Sequence, residues 1–169
     1  MALYASPAAT LMEGRRLIPG EQMIAVRPHT RFAAFPPHRH DFVEVMVMLR
    51  GHAVHTLDGR ETVTLSAGEI LLINRHATHA IARCEEDDVA VNFLVQPEFF
   101  DFALEMVGAD NALGKFLLDA LRTGESSVPY LYFPVAERAS IQCLLESMLF
   151  GFLGAPGAHR RIHRVEMGL

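Results

Sequence analysis

The pattern of apolar and polar residues changes character partway along the chain. Short apolar runs, separated by glycine, proline or acidic turn residues, predict β-strands from residue 23 to residue 95. The predicted strands cover residues 23–27, 30–35, 42–50, 53–57, 61–65, 68–73, 78–82 and 89–95. Six to eight short strands at this regular spacing are typical of a β-barrel or β-sandwich.

Two of the predicted strand regions are especially informative. Residues 42–50 are almost wholly apolar, which indicates a central strand that is covered on both faces. Asp58 and Gly59 lie between the runs at 53–57 and 61–65, and an Asp-Gly pair in that position predicts a β-hairpin because both residues tolerate a positive φ.

After Pro97 the apolar period becomes helical, with predicted helices at 98–107, 111–122 and 135–153. The apolar stripe of the last helix is Ile141, Leu144, Leu145, Met148, Leu149 and Phe152. Half of this stripe is enough to dock the helix on the strands, and an additional exposed row would contact a second copy of the chain. The prediction is therefore a mostly β fold, a barrel followed by about three α-helices.

The same patterns divide the chain into four segments. We predict a flexible N-terminal arm over residues 1–20, a β-barrel over 21–96, and a helical segment for packing and dimerisation over 97–155. Residues 156–169 carry arginines without a hydrophobic period and are predicted to be a tail or the start of a linker.

Composition and charge limit the cellular compartments and the kinds of binding partner that we expect for this chain. No apolar run is long enough for a transmembrane helix, and the first residues lack the basic region of a secretory signal, so we expect neither a membrane partner nor secretion. The two cysteines, Cys84 and Cys143, form no disulfide framework, which favours a cytoplasmic location. A net charge of -5 makes DNA contact by this segment itself unfavourable.

Histidine is the unusual residue of this chain. Seven of the nine histidines fall between residues 29 and 79. If residues 38–48 form one extended strand, His38, His40 and Glu44 share a face, and His79 can return to the same point from a later strand. The other six histidines, including His55, are predicted to be incidental, with His55 at the surface.

The clustered residue types allow two interpretations. Three imidazoles and one carboxylate form a plausible site for a divalent transition metal such as Zn, Ni, Mn or Fe, with His38, His40, Glu44 and His79 as ligands. Alternatively, a hydrogen bond from a histidine or an arginine satisfies the buried Glu44 without any metal. Residue types alone leave both alternatives open.

Two motifs carry a family resemblance. Residues 38–51 read H-x-H-x3-E-x6-G, which resembles the first cupin motif, and residues 68–79 read G-x5-N-x-H-x2-H, which resembles the second. Asn74 and His76 stand where the second motif usually has proline and glycine, which puts the geometry of that turn in question. The resemblance implies that the positions binding metal in metallo-cupins are filled here.

A narrower resemblance covers residues 23–155. The string PHRHDFVEVMVMLRGHAVHTLDGRETVTLSAGEILLINRHATHAI is similar to the effector-sensing domain of AraC/XylS-type transcription regulators. The resemblance implies a cupin fold, dimerisation through the helices after the barrel, and a DNA-binding part with two helix-turn-helix motifs that is absent from this chain. The implied effector site consists of His38, His40, Phe42, Glu44, Met46 and His79.

Three functions follow as hypotheses. The leading hypothesis is a small-molecule-sensing and dimerisation domain of an AraC-type regulator that binds a sugar or an organic metabolite and is not itself an enzyme. The alternative is a stand-alone metal-dependent cupin enzyme of the dioxygenase or isomerase type. The third is a metal-free carbohydrate- or metabolite-binding module without a regulatory role.

Overall fold

The computed structural model of the chain describes residues 10–75, 77–122 and 127–154. The predicted tail at 156–169, the first nine residues of the predicted arm and His76 lie outside the described residues. Ten β-strands and four α-helices occur in the described part of the chain. The strands are β1 (Thr10–Met12), β2 (Ile24–Pro28), β3 (Phe35–His40), β4 (Val43–Arg50), β5 (His52–Leu57), β6 (Glu61–Ser66), β7 (Ile70–Ile73), β8 (His79–Ile81), β9 (Val89–Val95) and β10 (Tyr130–Phe133). The helices are α1 (Gly14–Leu17), α2 (Phe100–Val107), α3 (Ala112–Leu121) and α4 (Ala139–Gly154), with a 3-10 turn at Pro97–Phe99.

The strands form two five-stranded sheets that face each other. The first sheet has the order β1-β3-β8-β5-β6 and the second has the order β10-β7-β4-β9-β2. An apolar core with side chains from both sheets lies between them, including Met46 and Ile73 from the second sheet and Leu57 and Leu65 from the first. This jelly-roll-like arrangement confirms the mostly β, cupin-like fold, although within the described residues no strand pairing joins the two sheets into a closed barrel.

Strand β4 confirms the prediction of a central strand with two covered faces. It pairs with β7 on one side and with β9 on the other. Met46 points into the core between the sheets, whereas Val43 and Val47 pack under the C-terminal helices together with Phe116 and Leu149. A strand buried on both faces is apolar at most positions, which explains the long apolar run, and Glu44 is its polar exception within the buried part.

The first sheet also contains the predicted hairpin. Strands β5 and β6 pair around Asp58 and Gly59, whose φ angles are 49° and 67°. The prediction of a strand at 30–35 is wrong, because Phe32 has a φ of 59° and regular pairing begins only at Phe35.

The C-terminal half contains the three predicted helices and one strand that the sequence pattern did not reveal. Strand β10 lies between α3 and α4 in the chain and pairs antiparallel with β7 at the edge of the second sheet. It is only four residues long and lies between Pro129 and Pro134, so it offers no clear alternation. Helix α4 begins at Ala139, four residues later than predicted.

The described part of the predicted arm forms regular structure. Strand β1 pairs in parallel with β3, and the backbone N–H of Gly14 donates to Asp41 Oδ1 at 2.6 Å. Ile18, after α1, is buried against Phe42 and Leu94. This segment therefore packs against the body of the domain. No helix in the described ranges is both long and apolar enough to cross a membrane.

Candidate functional site

Three strands bring the predicted site residues together, and they come from both sheets. His38 and His40 lie on β3, His79 lies on β8, and Glu44 lies on β4. All four side chains are buried, and His38 pairs directly with His79 across the first sheet. Residues 38–48 do not form one extended strand, because the chain bends at 41–42 and crosses to the second sheet.

Glu44 is the centre of the cluster. Its Oε2 atom lies 3.3 Å from His79 Nε2 and 3.6 Å from His40 Nε2. The ligand atoms of these three residues all lie within 4.8 Å of one another. His38 is adjacent, with its ring centroid 4.0 Å from that of His79, and its Nδ1 donates to the carbonyl of Pro36 at 2.9 Å.

The hydrogen bonds around the cluster define the tautomer of His40. Its Nδ1 donates to the backbone carbonyl of Phe42 at 2.6 Å, so Nδ1 carries a proton and Nε2 is the ring nitrogen that faces Glu44. Among the described residues, His40 Nε2, His79 Nε2 and Glu44 Oε2 have no hydrogen-bond partner. Buried atoms of this kind are normally paired, and a set of two imidazole nitrogens and one carboxylate oxygen suits a divalent transition metal.

The charge states follow from burial and from neighbouring groups. Burial raises the pKa of Glu44, but the imidazoles of His40 and His79 beside the carboxylate lower it more, so that its pKa lies well below the ordinary value. Burial, assisted by His79, lowers the pKa of His38 to about 4. At neutral pH the site therefore combines an ionised carboxylate with a neutral His38 imidazole.

A cavity of about 300 Å³ opens beside this cluster. Its wall comes from both sheets and from the N-terminal segment. The polar lining is Arg27, His29, Thr30, His38, His40, Glu44 and Asn92, and the apolar lining is Met12, Leu17, Pro28, Phe35, Phe42, Ile81 and Leu94. Met46 and His79 lie behind this wall, Met46 in the apolar core and His79 against Glu44. The cavity has the mixture of apolar walls and a few convergent polar groups that is typical of small-molecule sites.

Residues 22–148 match the family model described as the AraC-like ligand binding domain. The chain belongs to this family. Two curated relatives are HTH-type transcriptional activators named RhaS. The protein from Salmonella arizonae is 29% identical over 83 residues, which cover 49% of this chain and 30% of the relative. The protein from Salmonella paratyphi B is 28% identical over 94 residues, which cover 56% of this chain and 32% of the relative.

The chain thus spans about a third of the length of the curated relatives it matches. Among solved structures, it is similar to a cupin protein from Bacteroides fragilis, with 24% identity, a TM-score of 0.36, and coverage of 43% of this chain and 64% of that protein. It is also similar to KdgF from a Halomonas species, with 20% identity, a TM-score of 0.36, and coverage of 44% of this chain and 82% of that one.

Sequence reasoning missed several polar residues in or behind the cavity wall of this AraC-like ligand binding domain, among them Arg27, His29, His55 and Asn92. Asn92 Nδ2 donates to Glu44 Oε1 at 2.6 Å and lies 3.3 Å from His29 Nδ1. His55 is fully buried, with its Nε2 3.1 Å from Met46 Sδ and its ring centroid 5.9 Å from those of His29 and His79.

The prediction that His55 lies at the surface is wrong. His29, for which the sequence suggested no partner, is buried, lines the cavity and contacts Asn92. Along β5, buried and less buried side chains alternate, and His55 falls on the same face as Ala53 and Leu57. That alternation was a signal for His55. No comparable local signal existed for Asn92, because its role depends on which strand pairs with β9. Burial lowers the pKa of His55 to about 3 and also lowers the pKa of His29, so both rings are neutral at pH 7.

Proposed function

We propose that this domain captures a small organic effector, a sugar or another metabolite, in the cavity between its two sheets. We further propose that it serves as the sensor of a longer cytoplasmic transcription regulator. The observation that carries the proposal is the cavity itself, with Glu44, His40 and Asn92 at its polar side and Phe42 and Leu94 among its apolar walls, in a domain of this family.

The walls of the cavity suggest how binding is transmitted. Met12 and Leu17, from the N-terminal segment, line the cavity together with residues of both sheets. Arg27, another lining residue, donates from Nη2 to the carbonyl of Leu17 at 2.6 Å. An effector that touches these groups would bind one arrangement of the N-terminal segment more tightly than another, and this differential affinity would shift the equilibrium between them.

The proposal includes a homodimer formed through α4. On this helix the inner row, Leu145, Leu149 and Phe152, packs on the second sheet. Leu144 and Met148 form a neighbouring row that is exposed, with 64% and 49% of their surface accessible. An apolar row of this kind supports a two-fold contact with a second copy. With a net charge of -5, this segment itself would not contact DNA.

The sensing proposal is tested by screening sugars and organic metabolites against the full chain and measuring the midpoint of thermal unfolding. We expect at least one compound to raise the midpoint. Met12→Trp, which fills the cavity, should abolish the rise, whereas Leu11→Trp, at the neighbouring exposed position of β1, should retain it. If no compound stabilises the protein, or if both variants respond equally, the proposal is wrong.

The second candidate function is a metal-dependent cupin enzyme of the dioxygenase or isomerase type. The unpaired nitrogen and oxygen atoms of His40, Glu44 and His79 support this candidate. These residues would hold a Zn, Ni, Mn or Fe ion, with His38 beside them as a further ligand. The ion would act as a Lewis acid facing the cavity, since Glu44 and His40 also line it.

Elemental analysis of the purified protein tests this candidate. If the candidate function is right, the purified protein should contain about one metal ion per chain, and His79→Ala should lose that metal. The control variant His52→Ala should retain the metal, because the side chain of His52 is 62% exposed. Metal at a small fraction of the chain concentration, together with unchanged thermal stability after treatment with EDTA, would exclude it.

A further inference from the structure

We propose that the effector is a small 2-hydroxycarboxylate with an apolar substituent, whose carboxylate binds Arg27 and His29 and whose hydroxyl group binds Asn92. This inference rests on the proposed sensing function and specifies the chemistry of its ligand. It follows from buried hydrogen-bonding atoms, on residues that line the cavity, that have no partner among the described residues.

Arg27 supplies an uncompensated positive charge. It lies on β2 and lines the cavity, and its Nη2 is engaged by the carbonyl of Leu17. Its Nε atom is buried and has no hydrogen-bond partner among the described residues. No carboxylate in the described ranges forms an ion pair with Arg27. A guanidinium stays protonated in proteins, so this donor favours an anionic ligand, and the planar carboxylate matches it best.

His29, which directly follows the last residue of β2, adds a second donor. Its Nδ1 lies 3.3 Å from Asn92 Nδ2, and because an amide nitrogen can only donate, Nδ1 is the acceptor. In the neutral ring the proton is then on Nε2, which is buried and unpartnered among the described residues. Arg27 Nε and His29 Nε2 are therefore two buried N–H donors on residues that are two positions apart and that both line the cavity.

Asn92 places an acceptor next to these donors. Arg27 and Asn92 are direct partners in the antiparallel pair of β2 and β9, so their side chains stand side by side on one face. The amide orientation follows from Nδ2, which donates to the Glu44 carboxylate, and this leaves Oδ1 as a buried acceptor without a partner in the described structure. A ligand must then offer an acceptor to Arg27 and a donor to Asn92, and a hydroxyl next to a carboxylate does both.

The charge of Glu44 is compatible with an anion at Arg27. Glu44 is on β4, two strands away from Arg27, and its Oε1 is occupied by Asn92. His40 and His79 lie against its other oxygen. The rest of the cavity is apolar, with Phe35, Phe42, Ile81 and Leu94 in its wall. A cavity of about 300 Å³ is at the small end of ligand sites, which favours a compact molecule with one apolar group.

Calorimetric titration of the full chain with three matched probes tests the inference. Mandelate carries the carboxylate, the hydroxyl group and an apolar ring, mandelamide lacks the charge, and phenylacetate lacks the hydroxyl group. We expect mandelate to bind ~10-fold or more tightly than mandelamide, and several-fold more tightly than phenylacetate. Arg27→Gln should remove the preference for mandelate over mandelamide, whereas Arg27→Lys should keep part of it.

Arg31→Gln is the matched control, because Arg31 is a nearby arginine whose side chain donates to the carbonyl of Glu86 at the surface. It should bind all three probes as the unchanged protein does. The inference is wrong if mandelamide binds as tightly as mandelate, or if Arg27→Gln retains the preference.

An uncharged sugar, D-xylose, separates this inference from the sensing function itself. If xylose or mandelamide binds in a manner that Met12→Trp abolishes, while mandelate does not bind, the ligand class is wrong and the sensing function stands. If none of the four probes binds, the result counts against both.

Discussion

At the residue scale, the unusual property of this protein is where its unpaired polar atoms lie. Buried side-chain atoms without a hydrogen-bond partner occur, within the described residues, on Arg27, His29, His40, Glu44, His55, His79 and Asn92. The first four and Asn92 line the cavity, and His55 and His79 lie directly behind it. Leaving such groups unpaired costs about 1–3 kcal/mol each. Their concentration around one cavity indicates a site that a ligand or an ion completes.

His55 makes the stability of the domain depend on pH. Its pKa of about 3 in the folded chain lies below its ordinary value of 6.5, so between these pH values the unfolded chain binds more protons. Stability therefore falls as the pH falls below about 6.5. At pH 5.5 this one histidine should lower the free energy of unfolding by about 1 kcal/mol relative to its value well above pH 6.5.

Urea unfolding at pH 7.5 and at pH 5.5, with EDTA present, measures this effect. In His55→Leu the decrease between the two pH values should be smaller than in the unchanged protein by about 1 kcal/mol. The exposed His52→Leu is the matched control and should leave the decrease nearly unchanged. An equal decrease in the unchanged protein and in His55→Leu would contradict the neutral, buried state of His55.

At the scale of the elements, the packing of α3 against the end of α2 requires a residue without a side chain at position 114. A Cβ atom at Gly114, in the first turn of α3, would overlap the backbone carbonyl of Gly108 at the end of α2. Asn111 caps α3 by accepting from the Gly114 N–H at 2.9 Å, so the backbone has little room to move away. The close approach of the two helices therefore requires glycine at this position.

The same substitution at two helical glycines should have opposite effects. We expect Gly114→Ala to destabilise the domain by about 1–3 kcal/mol because of the overlap. Gly151→Ala in α4, where no atom other than its chain neighbours and the backbone of its own helix lies within 4 Å of the added Cβ, should stabilise it by about 0.5–1 kcal/mol because alanine favours the helix. Free energies of unfolding from denaturant titrations provide the comparison, and stabilisation by Gly114→Ala would disprove the packing argument.

Helix α4 carries a second prediction at this scale. If its exposed row forms the proposed dimer, the double variant Leu144→Glu with Met148→Glu should be monomeric, because two carboxylates would be buried at the contact. Light scattering coupled to size exclusion gives the mass directly. Glu146→Lys, an exposed position on another side of the helix, is the control and should remain dimeric. A monomeric unchanged protein at high concentration would exclude the dimer.

At the scale of the whole molecule, the cavity joins three parts of the fold. Leu17 and Met12 belong to the N-terminal segment, His38 belongs to the first sheet, and Asn92 belongs to the second. A ligand that fills the cavity contacts all three, and it should therefore slow their local opening together.

Amide hydrogen exchange with and without the tightest-binding compound of the screen measures this coupling. We expect slower exchange in β1 and α1 as well as in β2 and β9, since the ligand stabilises every wall of its cavity. Met12→Trp at the same ligand concentration should show no such slowing. Protection confined to the second sheet would mean that the N-terminal segment does not respond to the ligand.

Sequence alone determined most of the elements and most of the polar cluster. Alternating and continuous apolar runs predicted seven of the ten strands near their observed positions, because burial on one or two faces of a sheet dictates the residue type at each position. The motifs also indicated His38, His40, Glu44 and His79 as one group. These features are local in the chain or belong to a family pattern, so a linear sequence can express them.

Tertiary structure alone decided what surrounds that group. The bend at 41–42 places His40 and Glu44 on different sheets, and the pairing of β9 with both β2 and β4 sets Asn92 between Arg27 and Glu44. Neither strand β10 nor the inward position of His29 is visible in a local period. Contacts between residues far apart in sequence depend on strand order and register, which no short stretch of the chain encodes by itself.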